Sequence, residues 1–252
     1  MGFHSAMRYG FIVLVCVVTG GCGHTFKVKD YITTEGLMEA SKVEFRRGHF
    51  LHAQTGFQRV SFEVSATDSV GAVSHYLLAE CDFALGNYLE ASRAFRRVAD
   101  DYPDHPLAPD ALLRAGDALT ALWGRPELDP TYGEEALAAY RELAARYPEG
   151  RATERSRLKL SALSNRFAEK EYRAGMFYFK LKAYDSAIIY FRSVAAQWGN
   201  TPAAPTALMM LVRTYQRLGY REETQETCAH LRQYYANARG LNETCAPVPA
   251  AP

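Results

Sequence analysis

The sequence predicts an all-α protein built from five similar helix-turn-helix units. Four positions recur at a fixed distance of 38 residues, as the pairs Gly48/Gly86, Ala53/Ala91, Phe57/Phe95 and Val60/Val98. A small residue, a larger one four positions later and an aliphatic one three further on lie on one face of a helix. Glycine and proline separate these helical stretches. A repeat of this length indicates an array of stacked helix pairs.

Residues 1–21 have the layout of a cleaved export signal. Arg8 is their only formal charge, and the apolar run from Tyr9 to Val18 follows it. That run is about ten residues long, whereas a helix needs roughly twenty to span a bilayer. Small residues end the segment, as signal cleavage requires. Translation could start at Met1 or at Met7, which puts the charge close to the N-terminus.

Cys22 follows these small residues in a pattern that resembles a bacterial lipobox. In lipoboxes the chain is cut before a cysteine whose sulfur and new amino group become acylated, which anchors the protein firmly. Thr19 stands where leucine is usual. We expect a covalent lipid on Cys22 and no other cofactor, the alternatives being an unlipidated exported protein or a buried thiol. Gly23 in place of aspartate then favours the outer membrane, periplasmic face, with residues 22–32 as a linker.

Composition limits the function classes that remain. The chain has 29 basic and 28 acidic residues, and removal of Arg8 with the signal leaves 28 of each. Nucleic-acid binding needs a basic surface, so no nucleic-acid partner is expected. Of five cysteines, three remain after cleavage at the signal and lipidation of Cys22: Cys81, Cys228 and Cys245.

Glycine and proline mark the turns and ends of the five predicted repeats. The repeats cover about 33–68, 69–105, 106–150, 151–200 and 201–236. In the last three, the recurring stripe is formed by Ala136, Tyr140 and Leu143, by Ala187, Phe191 and Val194, and by Thr224, Cys228 and Leu231. Gly86 and Gly219 mark turns within repeats, and tyrosine-proline pairs end repeats two and three. The period, the turn glycine and the alanine-aromatic spacing resemble the tetratricopeptide repeat, so we expect a curved solenoid.

An unusually long helical stretch connects repeats three and four. Ala136 and Ala187 are 51 residues apart, and no proline or glycine occurs from Ala152 to Ala174. This stretch resembles the BamD (YfiO) family, whose "NRLA-x-x-E" helix leads into "YY-x-K-x-x-A-Y-x-x-A". The matching residues are Asn165, Arg166, Phe167, Ala168 and Glu171, then Phe177, Tyr178, Lys180, Ala183, Tyr184 and Ala187. The similarity covers roughly Thr33 to Tyr235.

The resemblance implies a non-enzymatic scaffold of the outer-membrane β-barrel assembly machinery. Its expected partners are the barrel-forming subunit through its periplasmic domains, other assembly lipoproteins, unfolded outer-membrane proteins and the outer membrane itself. The N-terminal half would receive the C-terminal signals of unfolded barrel proteins, and the C-terminal half would dock on the barrel-forming subunit. The rival interpretation is a tetratricopeptide lipoprotein of pilus secretin assembly or cell-wall coordination, against which the long "NRFAEKE" helix argues.

Site residues follow from the repeat register. First helices line the inner surface of such an array, which predicts a peptide-binding groove formed by Met38, Lys42, Phe45, Arg46, Tyr76, Glu80 and Phe83. Apolar walls with a basic end suit an extended peptide with an aromatic side chain and a free carboxylate. Alternatively, Phe45 and Phe83 only pack between helices. The predicted partner-binding residues in repeat four are Arg173, Tyr190 and Arg192.

No pattern in the sequence predicts an enzyme or a metal site. His49 and His52 are the one close histidine pair, and no cysteine or carboxylate cluster accompanies them at metal-ligand spacing. A solvated turn is the expected role of this pair. The acidic group around Asp100, Asp101 and Asp104 lies at a repeat end, where polar residues face water. A periplasmic enzyme would also need a second domain, for which the length leaves no room.

The C-terminal tail, residues 237–252, is predicted to cover the last helix. We expect Tyr235 to Cys245 to fold back with Leu241 against that helix, because the last unit has no following repeat to bury its apolar face. Cys228 lies on that face and could form a disulfide with Cys245, closing a loop of 17 residues. Alternatively, Cys228 stays a small buried apolar residue and the tail is free.

Overall fold

The computed structural model describes residues 26–65, 68–124 and 129–246. These ranges contain helices and no strand, which confirms the all-α prediction. After a short 3-10 turn at Val28–Asp30, the helices are α1 (Thr34–Arg46), α2 (Phe50–Glu63), α3 (Ser69–Ala84), α4 (Tyr88–Asp101), α5 (Ala108–Leu122), α6 (Thr131–Arg146), α7 (Arg151–Lys180), α8 (Tyr184–Gln197), α9 (Ala203–Leu218), α10 (Arg221–Tyr234) and α11 (Leu241–Thr244). The signal segment, Cys16 and Cys22 lie outside the described residues.

Helices α1 to α10 form five consecutive pairs, each stacked on the next. Every helix in this series contacts the one that follows it, α5 also contacts α7, and α7 contacts α9. Contact between first helices of successive units is the arrangement of a helical-repeat solenoid. No helix within the described ranges combines the length and the apolar character that crossing a membrane requires.

The recurring stripe of the second helices lies in the core, as predicted, except that Thr224 of repeat five is only partly buried. Phe57, Phe95 and Phe191 are fully buried. Gly116 and Gly175 on the preceding helices face the aromatic positions of repeats three and four. A Cβ atom on Gly116 would lie 2.4 Å from Tyr140, and one on Gly175 would lie 2.6 Å from Phe191. Glycine at these places lets the two helices of a unit approach each other closely.

In four of the five units, one residue in the turn between the two helices has a positive φ angle. The φ angle is +81° at Gly48, +82° at Gly86 and +75° at Gly219. Lys182 takes the corresponding place in repeat four with φ 61°. Each of these residues lies five positions before the small residue of its stripe. Lysine there bears a steric cost that glycine avoids.

The uninterrupted stretch predicted between repeats three and four is a single helix. Helix α7 has 30 residues and spans Arg151–Lys180. Its buried side includes Leu163, Phe167 and Ala168. Because it contacts α5, α6, α8 and α9, α7 connects repeats three, four and five.

The C-terminal segment folds back onto the last repeat, as predicted, but α11 packs mainly on α9 rather than on the last helix, α10. Helix α11 packs on α9, and Leu241 is buried there. Cys228 and Cys245 form a disulfide. Arg232 donates an Nη2 hydrogen bond to the carbonyl oxygen of Cys245 at 2.8 Å, and Gln216 donates one to that of Thr244 at 3.3 Å. The cap therefore combines apolar burial, hydrogen bonds and a covalent link.

Candidate interaction surfaces

Three aromatic rings stacked in sequence hold the central part of α7. The Phe167 ring lies 4.2 Å from the Trp123 ring, at an interplanar angle of 20°. On its other side it lies 5.2 Å from the Trp198 ring, at 10°. Trp123 follows α5 and Trp198 follows α8, so the stack joins repeats three and four. Offset aromatic stacks at these separations stabilise a fold beyond their buried area.

Polar residues of the same motif fix α7 to its neighbours. The Arg166 guanidinium lies 4.6 Å from the centre of the Trp123 ring, and its Nη2 donates to the carbonyl oxygen of Gly124 at 3.0 Å. Glu171 Oε1 accepts a hydrogen bond from Trp198 Nε1 at 3.2 Å. The "NRFAEKE" segment therefore packs α7 against its neighbours through Arg166, Phe167 and Glu171.

A cavity of about 350 Å³ opens beside this motif, between α7 and the start of α9. It is lined by Asn165, Arg166, Glu169, Lys170, Arg173, Thr201, Pro202 and Ala203. Three of these residues are cationic, and Glu169 accepts a hydrogen bond from Arg173 Nε at 2.9 Å. The side of α7 that lines this cavity is therefore polar and predominantly basic.

The three predicted partner-binding residues have different surroundings in repeat four. Arg173 is exposed and lines the cavity. Arg192 is exposed, and its Nε donates to the Tyr215 hydroxyl of repeat five at 2.7 Å. Tyr190 is half-buried, because its ring stacks on that of Tyr178 at 5.4 Å and 10°. Both arginines are exposed and take part in hydrogen bonds, whereas the Tyr190 ring packs within the unit.

The predicted groove residues of repeat one require one correction. Met38 is only 5% exposed and belongs to the core of this repeat, so it does not line an open groove. Phe45 is half-buried and packs against Phe50 and Phe57 of α2, at 5.4 and 6.5 Å between ring centres. Arg46 is exposed, and Lys42 forms an ion pair with Glu39 at 2.7 Å.

In repeat two, an arginine of the next repeat contacts two of the three predicted groove residues, Glu80 and Phe83. Arg114 binds Glu80 through two parallel hydrogen bonds of 2.7 and 2.6 Å, and its guanidinium lies 3.9 Å above the Phe83 ring. Tyr76 packs edge-on against Phe95 at 5.4 Å. Burial raises the pKa of Tyr76, and the neighbouring Glu80 carboxylate raises it further.

The charge network continues along the first helices into repeat four. Asp117 of α5 accepts a hydrogen bond from the Tyr140 hydroxyl at 2.8 Å and pairs with Lys159 of α7 at 2.8 Å. Burial is the main cause of the raised pKa of Tyr140, and Asp117 adds to it. Because Arg114 also pairs with Asp117 at 3.5 Å, Glu80, Arg114, Asp117 and Lys159 form a connected series across three repeats.

Sequence reasoning missed several members of these surfaces. Arg114, Asp117 and Lys159 carried no motif, since charged residues on a helix usually face solvent. Trp123 and Trp198 are the two tryptophans of the chain, and their place at the ends of helices was the available signal. The sequence showed no cysteine or carboxylate cluster at metal-ligand spacing beside His49 and His52, whereas the fold brings Glu44 of α1 to both rings.

The chain is similar to a family of outer membrane lipoproteins and to two of its named relatives. Residues 33–231 match the family described as YfiO: Outer membrane lipoprotein. A protein of Caulobacter vibrioides named outer membrane protein assembly factor BamD is 31% identical over 148 residues, which cover 58% of this chain and 48% of that protein. Its namesake in Vibrio cholerae is 29% identical over 103 residues, covering 41% and 43%. The matched regions thus span less than half of each relative.

Solved structures of helical-repeat proteins are also similar to this chain. A thermophilic TPR protein from Thermus thermophilus is 18% identical, with a TM-score of 0.38 and coverage of 85% of this chain and 97% of that one. A putative kinesin light chain with nearly identical TPR-like repeats, from Podosopora anserina, is likewise 18% identical, with a TM-score of 0.38 and coverage of 80% and 94%.

Proposed function

This chain belongs to the YfiO family of outer membrane lipoproteins, and from that premise we propose that it is a non-enzymatic assembly factor for outer-membrane proteins. It would be anchored through a lipid on Cys22 to the periplasmic face of the outer membrane. There it would bind the barrel-forming subunit, other assembly lipoproteins and the C-terminal signals of unfolded barrel proteins. The observation that carries the proposal is the family match across residues 33–231, which includes the long α7 helix and its motif.

Repeat four offers the features of a docking face for the barrel-forming subunit. Phe177 and Leu181 are exposed and lie four residues apart at the end of α7, hence on one side of that helix. Ile189 of α8 is 67% exposed. Arg173 and Arg192 in the same repeat add cationic groups. Exposed apolar side chains near arginines are typical of protein-protein interfaces.

Repeats one and two support the second part of the proposal, the capture of a C-terminal peptide. Arg46 and Lys42 supply the cations for a terminal carboxylate. The half-buried rings of Phe45, Tyr76 and Phe83 leave part of their surface for an aromatic side chain. The proposed peptide-binding residues do not include the buried Met38, and they include Arg114, which contacts Phe83.

Site-specific photocrosslinking tests the docking face. A photoreactive amino acid at Ile189 should capture the barrel-forming subunit from membranes, identified by mass spectrometry. The matched control is Leu51 of repeat one, which is 64% exposed and also apolar. Capture of a secretin at Ile189, or equal capture of the barrel-forming subunit from both positions, would contradict the proposed face.

A peptide titration tests the groove separately. A fluorescent peptide that ends in phenylalanine should bind the full chain more tightly with a free carboxylate than with an amidated end. Arg46→Gln should weaken binding by about tenfold, the cost of one charge-assisted hydrogen bond. Arg93→Gln, an exposed arginine in repeat two, serves as the control. Equal affinity for both peptides would remove the carboxylate from the proposal.

The anchor has its own test. Radiolabelled palmitate should label the wild-type protein in growing cells and not the Cys22→Ser variant. Equal labelling of the two would show that the lipid is absent from Cys22. Because this outcome is independent of the two binding experiments, each part of the proposed function can fail alone.

A further inference from the structure

Three side chains with metal-binding atoms meet at the turn of repeat one. Glu44 lies in the last turns of α1, His49 directly precedes α2, and His52 lies in the first turn of α2. Glu44 Oε2 is 2.9 Å from His49 Nδ1 and 3.2 Å from His52 Nδ1. The three ligand atoms all lie within 4.8 Å of one another.

The backbone of the turn holds this group together. Gly48 has φ +81°, which reverses the chain so that the start of α2 meets the end of α1. The His49 amide donates to the Glu44 carbonyl oxygen at 3.0 Å, so their relative position is fixed by the main chain. The Phe26 ring stacks on that of His52 at 5.9 Å and 23°, which restrains the second imidazole.

Burial divides the group into an inner and an outer part. The Glu44 side chain is 5% exposed, whereas those of His49 and His52 are 56% and 50% exposed. Arg47 Nη1 lies 3.3 Å from Oε1 of Glu44 and leaves Oε2 to the histidines. The arrangement therefore presents one ordered carboxylate oxygen and two imidazole nitrogens on a side that solvent reaches.

We propose that Glu44, His49 and His52 bind a divalent transition-metal ion of the zinc class. Two histidines and one glutamate are a known three-ligand set for zinc, with water at a fourth position. Ligands at about 2.0–2.1 Å from a tetrahedral ion are about 3.4 Å apart. The observed 2.9 and 3.2 Å separations between Glu44 Oε2 and the imidazole nitrogens need to widen by a few tenths of an ångström. The two histidine nitrogens, which lie within 4.8 Å of each other, need to reach the same spacing.

The bound ion would link the two helices of repeat one at their turn. Nitrogen-rich sets of this kind prefer zinc, copper or nickel to magnesium or calcium, which choose oxygen ligands. The half-exposed imidazoles give the ion access from solvent, and the buried carboxylate supplies the negative charge. No reaction is assigned to the ion.

Calorimetric titration of the metal-free full chain in detergent with zinc chloride tests this site. One ion per chain should bind, and His49→Gln and His52→Gln should each weaken binding at least tenfold, since loss even of an outer-shell partner of a metal costs about 10–100-fold. His230→Gln on the exposed side of α10 is the matched control and should bind as the wild type does.

Cobalt gives an independent readout, because a tetrahedral cobalt site absorbs visible light. The wild type and His230→Gln should show this band, and the two ligand variants should lose it. Both ligand variants change half-exposed rings, and circular dichroism confirms their helix content before titration. Absence of saturable zinc binding would overturn the site. Zinc affinity unchanged in both His49→Gln and His52→Gln would likewise do so, because the ion would then lie elsewhere.

Discussion

The Phe167 ring lies parallel to the Trp123 indole, 4.2 Å away at an angle of 20°. These residues are far apart in the chain and belong to different repeats. Helix α7 is longer than the repeat pattern requires, and this contact joins it to the preceding repeat. Gly133 of α6 allows this, since a Cβ atom there would lie 2.6 Å from Trp123 and 2.8 Å from Phe167.

Replacing Phe167 by alanine should strongly destabilise the solenoid. Loss of the ring leaves a cavity between two indoles, and we expect the free energy of unfolding to fall by about 3–5 kcal/mol. Urea unfolding followed by circular dichroism measures this. Phe177→Ala, on the exposed part of the same helix, should change it by less than about 0.5 kcal/mol. A similar loss in both variants would show that the stack has no special role.

Replacing Lys182 by glycine should stabilise the protein. A lysine at φ 61° costs about 1–2 kcal/mol, and glycine's greater freedom in the unfolded chain offsets part of the gain. The net expected rise in the free energy of unfolding is about 0.5–1 kcal/mol. The reverse change, Gly219→Lys, should lower it at a turn where no neighbour lies within 4 Å of an added Cβ. Thermal unfolding of the two variants should shift in opposite directions.

Removing the disulfide should loosen the C-terminal cap. Cys228→Ser opens a closed loop of 17 residues, and the chain-entropy relation predicts a loss of about 3 kcal/mol. Trypsin should then cleave after Arg239 faster than in the wild type. Cys245→Ser and the double variant should behave as Cys228→Ser does, because all three lose the same bond. A double variant clearly less stable than either single variant would contradict this prediction.

The Glu142 cluster predicts a dependence of stability on pH. Burial alone raises the pKa of Glu142, but hydrogen bonds from Arg96 at 2.7 Å and Arg146 at 3.0 Å outweigh it and hold the pKa below its usual value. A depressed folded-state pKa stabilises the protein above the usual glutamate pKa, and this stabilisation disappears as pH falls through the folded-state pKa. Glu142→Gln should therefore be less stable than the wild type at pH 7.

The same variant supplies its own control at acid pH. Once Glu142 is protonated, the wild type has lost the charged interaction that glutamine lacks at every pH. Urea unfolding should show that the difference between wild type and Glu142→Gln stays level from pH 6 to about pH 5 and shrinks between about pH 5 and pH 3. A difference that stays constant over this interval would assign the loss to packing.

Several local features could be read from the residues before any contact was known. The stripe of Ala91, Phe95 and Val98 is buried as its spacing predicts, because helical periodicity alone decides which residues share a face. The continuous helix of α7 follows from the absence of proline and glycine between Ala152 and Ala174. The cap over Cys228 was predictable because a terminal repeat leaves an apolar face to cover.

The groove shows where such reasoning stops. Register places Met38 on the first helix of repeat one, but how deeply the helices bury it depends on their separation. Arg114 of α5 likewise pairs with Glu80 of α3, although the two residues are 34 positions apart in the sequence. Neither result can be derived from periodicity, which describes one helix at a time.

The sequence by itself therefore determined the helices, their buried faces and the order of the repeats, since these depend on residues within a few turns of one another. Tertiary structure alone decided that Trp123, Phe167 and Trp198 form one stack, and that Glu44 meets His49 and His52. The physical reason is that these contacts depend on how helices cross and how the turns reverse the chain. Small changes in those angles move side chains by several ångströms, more than the reach of a hydrogen bond.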